Sequence, residues 1–178
     1  MFSKFLLRLF GWRVICTVPD YPKAIICVAP HTSNWDFILG KLAYRSLGRK
    51  AGFLIKESWF FFPMNLIFKA IGGIPVSRKR GSSLSQAIID KFNSSERLTL
   101  AITPEGTRSR VSEWRTGFLH IAYEAKVPIV LGAIDAATKE VHLEETFHAT
   151  GNMAEDMAAI KKYYRPFTGI KPENFTTE

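Results

Sequence analysis

Apolar positions recur along this chain in two periods, and the switches between them predict the elements. Residues 2–13 mix basic and apolar side chains at helical spacing. A helix there puts Phe2, Phe5, Leu6, Leu9 and Phe10 on one side and Lys4 and Arg8 on the other. Residues 12–18 and 24–29 read as strands, with the turn Pro19-Asp20-Tyr21-Pro22 between them. The second is apolar throughout, as expected of a strand covered on both faces. Helical spacing returns over 34–47, and 51–55 is a short strand. Pro63 interrupts the aromatic stretch 59–68, leaving two short helices around it.

Gly72-Gly73 leads into a strand at 74–76. Leu84, Ala87, Ile88, Ile89 and Phe92 then mark a helix over 82–93 behind a serine cap. Residues 98–102 form a buried type of strand, 103–116 a polar loop and 117–125 a helix. A strand at 128–134, a short one near Val141 and a closing helix at 152–164 complete the order. Strands alternating with helices predict an α/β fold: one domain spanning 1–178, a mixed, largely parallel sheet flanked by helices, and an N-terminal amphipathic helix. No repeat, low-complexity tract or linker divides the 178 residues.

Composition narrows the partners. Hydrophobic residues make up 47%, which excludes a disordered chain. Lys and Arg outnumber Asp and Glu by 24 to 16, a net charge of +8 that suits an anionic partner: nucleic acid, a negative membrane surface or an acidic carrier. No nucleic-acid-binding module is recognisable, so that partner has only the charge in its favour. The two cysteines, Cys16 and Cys27, make no disulfide framework, and a buried inert thiol is the expectation for Cys27. With no close pair of Cys and His, no structural zinc site is expected. No apolar run approaches the roughly 20 residues that span a bilayer. Residues 1–11 instead suit a helix lying on a membrane surface, with packing on the core as the ordinary alternative. Trp12 and Tyr21 suit headgroup level.

Two polar constellations fall where strands end, the usual place for ligands in such sheets. The first is Ala29-Pro30-His31-Thr32-Ser33-Asn34-Trp35-Asp36. Inside one helix His31 and Asp36 would sit about 140° apart. With His31 in the turn before the helix, and Thr32 or Ser33 as its cap, Asp36 leans back and meets the imidazole. A neutral imidazole can take the proton of an attacking hydroxyl, and a carboxylate on its other nitrogen fixes the tautomer. A purely structural polar pair is the competing reading. The second constellation is Arg78, closing the strand after Gly72-Gly73, together with Thr103-Pro104-Glu105-Gly106-Thr107-Arg108-Ser109-Arg110. Arginine forks at adjacent strand ends make a phosphate clamp. Gly106 permits positive φ or a close backbone approach. Glu105 has two readings, ion-pair partner of the arginines or acceptor from a substrate hydroxyl. Arg110 reads as solvated.

Together these segments resemble the glycerophospholipid acyltransferase family, whose best-known members are the 1-acyl-glycerol-3-phosphate acyltransferases. The family's His, four residues, then Asp is matched at 31–36, and its Gly-rich strand ending in Arg at 73–78. Pro-Glu-Gly-Thr-Arg-Ser is matched without a gap at 104–109, and the Val-Pro strand at Val127-Pro128-Ile129-Val130. Four blocks in order cover about 24–132. The resemblance implies a reaction with neither cofactor nor metal, in which acyl-CoA or acyl carrier protein acylates a lysophospholipid hydroxyl. His31 would be the general base and Asp36 its orienter. Arg78 and Arg108 would bind the acceptor's phosphate, with Glu105, Gly106 and Thr107 at the same acceptor site. Lys56 falls where family members often carry a lysine near the acceptor. The implied place is the cytoplasmic face of a bacterial membrane, held peripherally or monotopically.

Departures are Pro30 in place of a common Asn, Thr103 in place of a common Phe, and Leu131 where a second proline often stands. A long acyl chain needs an apolar groove, and 59–68 is the candidate to line it or to enter the bilayer. The competing function is a catalytically silent peripheral protein that binds anionic lipid. It accounts for the charge and the aromatics, but leaves the spacing of His31, Asp36, Glu105 and Arg108 unexplained. No Gly-x-Ser-x-Gly elbow supports serine-hydrolase chemistry.

Overall fold

A computed structural model describes residues 2–76 and 84–178. Arg78 and the expected serine cap at Ser82 lie outside the described residues.

Strand β2 (Lys23–Ala29) sits in the interior of the sheet and sorts its side chains by parity. Ile25, Cys27 and Ala29 enter one hydrophobic cluster, while Ala24 and Ile26 enter a second on the opposite face. Both faces are covered, so the strand has no side that needs polar residues. The same holds for β6 (Ile129–Asp135), buried at every position. Each fully buried Leu or Ile there contributes about 1.5–3 kcal/mol.

In chain order the elements are α1 (Phe2–Leu9), β1 (Arg13–Cys16), β2, α2 (Asn34–Ser46), β3 (Gly52–Lys56), a 3₁₀ turn (Glu57–Trp59), α3 (Met64–Ala70) and β4 (Gly73–Val76). Then come α4 (Leu84–Ser94), β5 (Leu98–Ile102), α5 (Gly117–Glu124), β6, β7 (Glu140–Phe147), α6 (Met153–Tyr164) and a last 3₁₀ turn (Pro172–Asn174). Among the described residues seven strands are ordered β1-β7-β6-β2-β5-β3-β4, and only the β6–β7 pair is antiparallel.

Helices α4, α5 and α6 cover one face, through Ile88, Phe92, Phe118, Leu119, Ile160 and Tyr164 among others. Helices α1 and α2 cover the other, through Leu7, Leu39, Ala43 and Tyr44. Cys27 lies at the bottom of the first cluster, and burial pushes its thiol up to about 12, where it is inert.

Most expected elements are present within a residue or two. Four features differ from the expectation. Strand β7 is eight residues long rather than short, because it pairs with β1 on one side and β6 on the other. The chain does not close at α6: residues 165–178 run back across the sheet end. Trp12 and Tyr21 are half-buried and pack on the core, with the Tyr21 hydroxyl 3.2 Å from Thr146 Oγ1. Helix α1 has three faces rather than two. Ser3 and Leu7 are buried, Phe2, Phe5, Leu9 and Phe10 are exposed, and Lys4 and Arg8 point elsewhere into solvent. One apolar stripe packs and another is left uncovered.

Candidate functional site

Strands β2 and β5 are parallel neighbours, yet the chain leaves them toward opposite faces: β2 feeds α2 and β5 feeds α5. Such a divergence opens a crevice at the strands' C-terminal ends. The turn carrying His31 rises from one side of it and the loop carrying Glu105 from the other. Lys56 follows from β3, the next strand over. The Val127-Pro128 block is at the opposite end of the sheet. There Pro128 C=O accepts the Ile25 N–H at 3.0 Å and Val127 is buried, so this block builds core.

The His31 turn is held from three directions. Ser33 caps α2: its backbone is extended at φ −147°, and Oγ accepts the Trp35 N–H at 3.2 Å. Asp36 reciprocates from the first helical turn. Its Oδ2 accepts the Ser33 N–H at 2.7 Å and the Thr32 N–H at 2.6 Å. The same oxygen lies 3.6 Å from His31 Nδ1, the meeting expected from the sequence, though beyond hydrogen-bond length. Asp36 is 2% exposed, and its Oδ1 has no hydrogen-bond partner among the described residues. Burial pushes its carboxyl up, against the two amides and Arg108, which lower it. With Nδ1 turned toward a carboxylate, Nε2 is the ring nitrogen that can take a proton.

Glu105 does not take the first of its expected roles, ion-pair partner of the arginines. Its Oε1 accepts the backbone N–H of His31 at 2.7 Å, and among the described residues no ion pair joins it to an arginine. Buried to 4% exposure, its carboxyl is pushed up to about 7, chiefly by desolvation. The His31 ring goes the other way, down to about 4, first through burial and then through the Arg108 guanidinium. The imidazole is therefore neutral at physiological pH.

Arg108 is exposed at the mouth of this crevice, and its charge acts on both His31 and Asp36. Gly106 takes φ +67°, and the Arg115 side chain lies against its bare face. An alanine there would be strained in backbone and would push the flexible, exposed Arg115 side chain aside. Arg115 carries no signal in the sequence; only the folding-back of the loop, through Arg115 N–H to Pro104 C=O at 2.8 Å, brings it here. Thr107 Oγ1 accepts the Ser109 N–H at 3.3 Å and so helps shape the loop. Lys56 and Arg110 are exposed. Among the described residues no group of three His, Cys, Asp or Glu side chains is placed to hold a metal ion.

Apolar surface flanks the crevice. Either side of buried Asp36, the first turns of α2 expose Trp35, Phe37 and Ile38. The segment after β3 exposes Trp59, Phe61, Phe62, Leu66 and Ile67, while Phe60 and Phe68 pair at 5.7 Å between ring centres. No helix among the described residues is long and apolar enough to cross a membrane.

Known proteins are similar to this chain. A chain from Salmonella typhimurium described as 1-acyl-sn-glycerol-3-phosphate acyltransferase is 28% identical over 154 residues, covering 80% of this chain and 60% of that one. The Escherichia coli K12 protein of the same description is 27% identical over 153 residues, with the same coverage. A probable 1-acyl-sn-glycerol-3-phosphate acyltransferase from Mycoplasma pneumoniae is 29% identical over 139 residues, 70% of this chain and 50% of that one. This chain thus spans about 60% of the length of the first two relatives. In fold it is similar to the crystal structure of the 1-acyl-sn-glycerophosphate (LPA) acyltransferase PlsC from Thermotoga maritima. The TM-score is 0.59 and the identity 20%, over 93% of this chain and 76% of that one. The family model described as Acyltransferase matches residues 15–134, two-thirds of the chain and all of the crevice. This protein belongs to the Acyltransferase family.

Proposed function

We propose that this protein transfers a fatty acyl group from the thioester of acyl-CoA or acyl carrier protein to the hydroxyl of a lysophospholipid, 1-acyl-glycerol-3-phosphate, giving phosphatidic acid. The observation that carries the reading is the neutral His31, with Nδ1 3.6 Å from Asp36, in a crevice where the charge of Arg108 reaches both side chains. The relatives' descriptions name the acceptor.

The acceptor's phosphate rests on Arg108 and Arg78. The hydroxyl gives its proton to His31 Nε2 as its oxygen bonds to the thioester carbonyl carbon. Asp36 stabilises the imidazolium. When the tetrahedral intermediate collapses, the C–S bond breaks and the sulfur takes the proton back from His31, leaving a free thiol and a new ester. No covalent acyl-enzyme is needed. Glu105 touches the peptide of His31 and holds the base in place.

A base with a pKa of about 4 is weak for this task. A phosphate dianion on Arg108 offsets the guanidinium charge, the lesser of the two causes that hold His31 down, so the acceptor restores part of the basicity while burial still lowers it.

The exposed apolar side chains of α1, the first turns of α2 and the segment after β3, with the chain's +8 charge, suit docking on an anionic membrane beside the crevice mouth. Lipid acceptor would reach the site from there.

The test is thiol release by the purified protein given lysophosphatidate and an acyl-thioester. Acceptor-dependent release that His31→Ala abolishes supports acyl transfer. Release without acceptor would mean hydrolysis, and silence across several lysolipids would leave a lipid-binding protein.

A further inference from the structure

The stretch after α6 lies outside the family match, which ends at residue 134, yet it touches the crevice at three places. Thr168 donates its N–H to Asp135 Oδ1 at 3.0 Å, and its C=O accepts the Ala136 N–H at 2.7 Å. That ties the segment to the end of β6. Gly169 is buried against the His31 turn. A Cβ on it would fall 2.8 Å from both Cγ2 and Oγ1 of Thr32 and 3.1 Å from Cβ of Pro30. Lys171 then donates its N–H to Thr32 Oγ1 at 3.1 Å. Further along, Thr176 C=O accepts the Trp114 indole N–H at 3.2 Å, and Phe175 packs 6.0 Å from Trp114 between ring centres. Trp114 belongs to the same loop as Glu105 and Arg108.

Thr32 is where these contacts meet the chemistry. It is 2% exposed and stands between His31 and the cap of α2. Its N–H is committed to Asp36 and its hydroxyl to the strap. A β-branched side chain has few χ1 positions, so Thr32 cannot swing aside without breaking one of the two. Whatever fixes Thr32 fixes the His31–Asp36 separation.

We infer that residues 168–171 form a positioning strap, in which the bare face of Gly169 and the amide of Lys171 lock Thr32 and thereby set His31 against Asp36. Thr32 is a positioning residue, acting through its neighbours. The consequence for turnover rests on His31 being the proton acceptor; the mechanical claim does not.

The experiment compares Thr32→Val, Thr32→Ser and Gly169→Ala with the unmutated protein. Phe92→Leu, on the buried face of α4, serves as a matched loss of melting temperature. Thr32→Val keeps the shape and removes the hydroxyl; Thr32→Ser keeps the hydroxyl. Misplacing a reacting group costs at least tenfold, so Thr32→Val and Gly169→Ala are expected to lower kcat by about tenfold with acceptor KM nearly unchanged. Thr32→Ser should recover most of the loss, and Phe92→Leu should keep kcat. A kcat unchanged in both variants, or lowered equally by Phe92→Leu, overturns the strap. Amide hydrogen exchange at Thr32 and Ser33 decides the matter separately. It should quicken about tenfold in Gly169→Ala and Thr32→Val while β6 stays protected. Unchanged exchange overturns the strap whether or not the protein transfers acyl groups. Absence of acyl transfer in the unmutated protein overturns only the proposed function.

Discussion

Glu105 accepts the backbone N–H of His31 at 2.7 Å, so the acidic residue of one loop holds the peptide of the residue that carries the imidazole of the other. The two side chains are pushed in opposite directions by the same burial: His31 from 6.5 to about 4, Glu105 from 4.5 to about 7.

That opposition predicts a cancellation. Between about pH 4.5 and 6.5 the unfolded chain holds more protons at His31 than the folded one, so His31 makes stability rise with pH. Over about pH 4.5 to 7 the folded chain holds more protons at Glu105, so Glu105 makes stability fall. Each effect is on the order of 3 kcal/mol. Urea unfolding of Glu105→Gln should therefore show more stability at pH 6.5 than at 4.5, relative to His31→Ala, which should show less. The buried Asp36 is common to both variants and drops out of the comparison. Equal pH slopes in the two would contradict it.

His31→Ala is expected to cut acceptor-dependent thiol release by 10²–10⁴-fold or more, the usual worth of a general base. Vesicle binding should be unchanged, since the ring is recessed in the crevice. Release assays and vesicle co-sedimentation measure the two.

Arg108 predicts a split in the pH profile. In free enzyme its cation helps hold His31 near 4, so the acid limb of kcat/KM should fall near pH 4. With phosphate bound, the limb of kcat should lie at higher pH. Arg108→Gln should raise acceptor KM and also move the free-enzyme limb upward, because His31 gains basicity when the cation is lost. An unmoved limb would show that Arg108 does not act on the ring.

Asp36 closes the capping box, so Asp36→Ala removes the acceptor of two N–H groups, one of them on buried Thr32. The cost should be about 1–3 kcal/mol, read by urea unfolding. Asp36→Asn keeps one acceptor oxygen and should recover part of that stability while still lowering kcat.

The uncovered stripe of α1 gives a prediction about membranes. Phe2→Asp with Phe5→Asp should leave the melting temperature nearly unchanged, since these side chains are 72% and 61% exposed. Binding to phosphatidylglycerol vesicles should weaken by about tenfold or more, and residual binding should fall with added salt. Equal binding by variant and unmutated protein would remove α1 from the docking surface.

Much of this protein is legible in order of residues alone. The runs of apolar positions dictate β2, β5 and β6, because a strand covered on both faces is filled mainly by apolar side chains, with polar residues such as Lys23 and Asp135 at its ends. Local capping chemistry likewise settles the turn at His31, since Ser33 and Asp36 lie three positions apart and satisfy each other's backbone within one helical turn. The motif blocks point to the family. What sequence does not encode locally is which distant groups end up facing one another. Glu105 reads either as a partner for neighbouring arginines or as an acceptor for a substrate hydroxyl. Neither reading anticipates that its Oε1 meets a peptide 74 residues away, because β2 and β5 are adjacent in the sheet. Residues 165–178 show no periodicity and no motif, yet they carry the contacts that fix Thr32. Their role rests on backbone amides, a missing Cβ and the route of the chain. These have no side-chain signature, so only tertiary packing decides them.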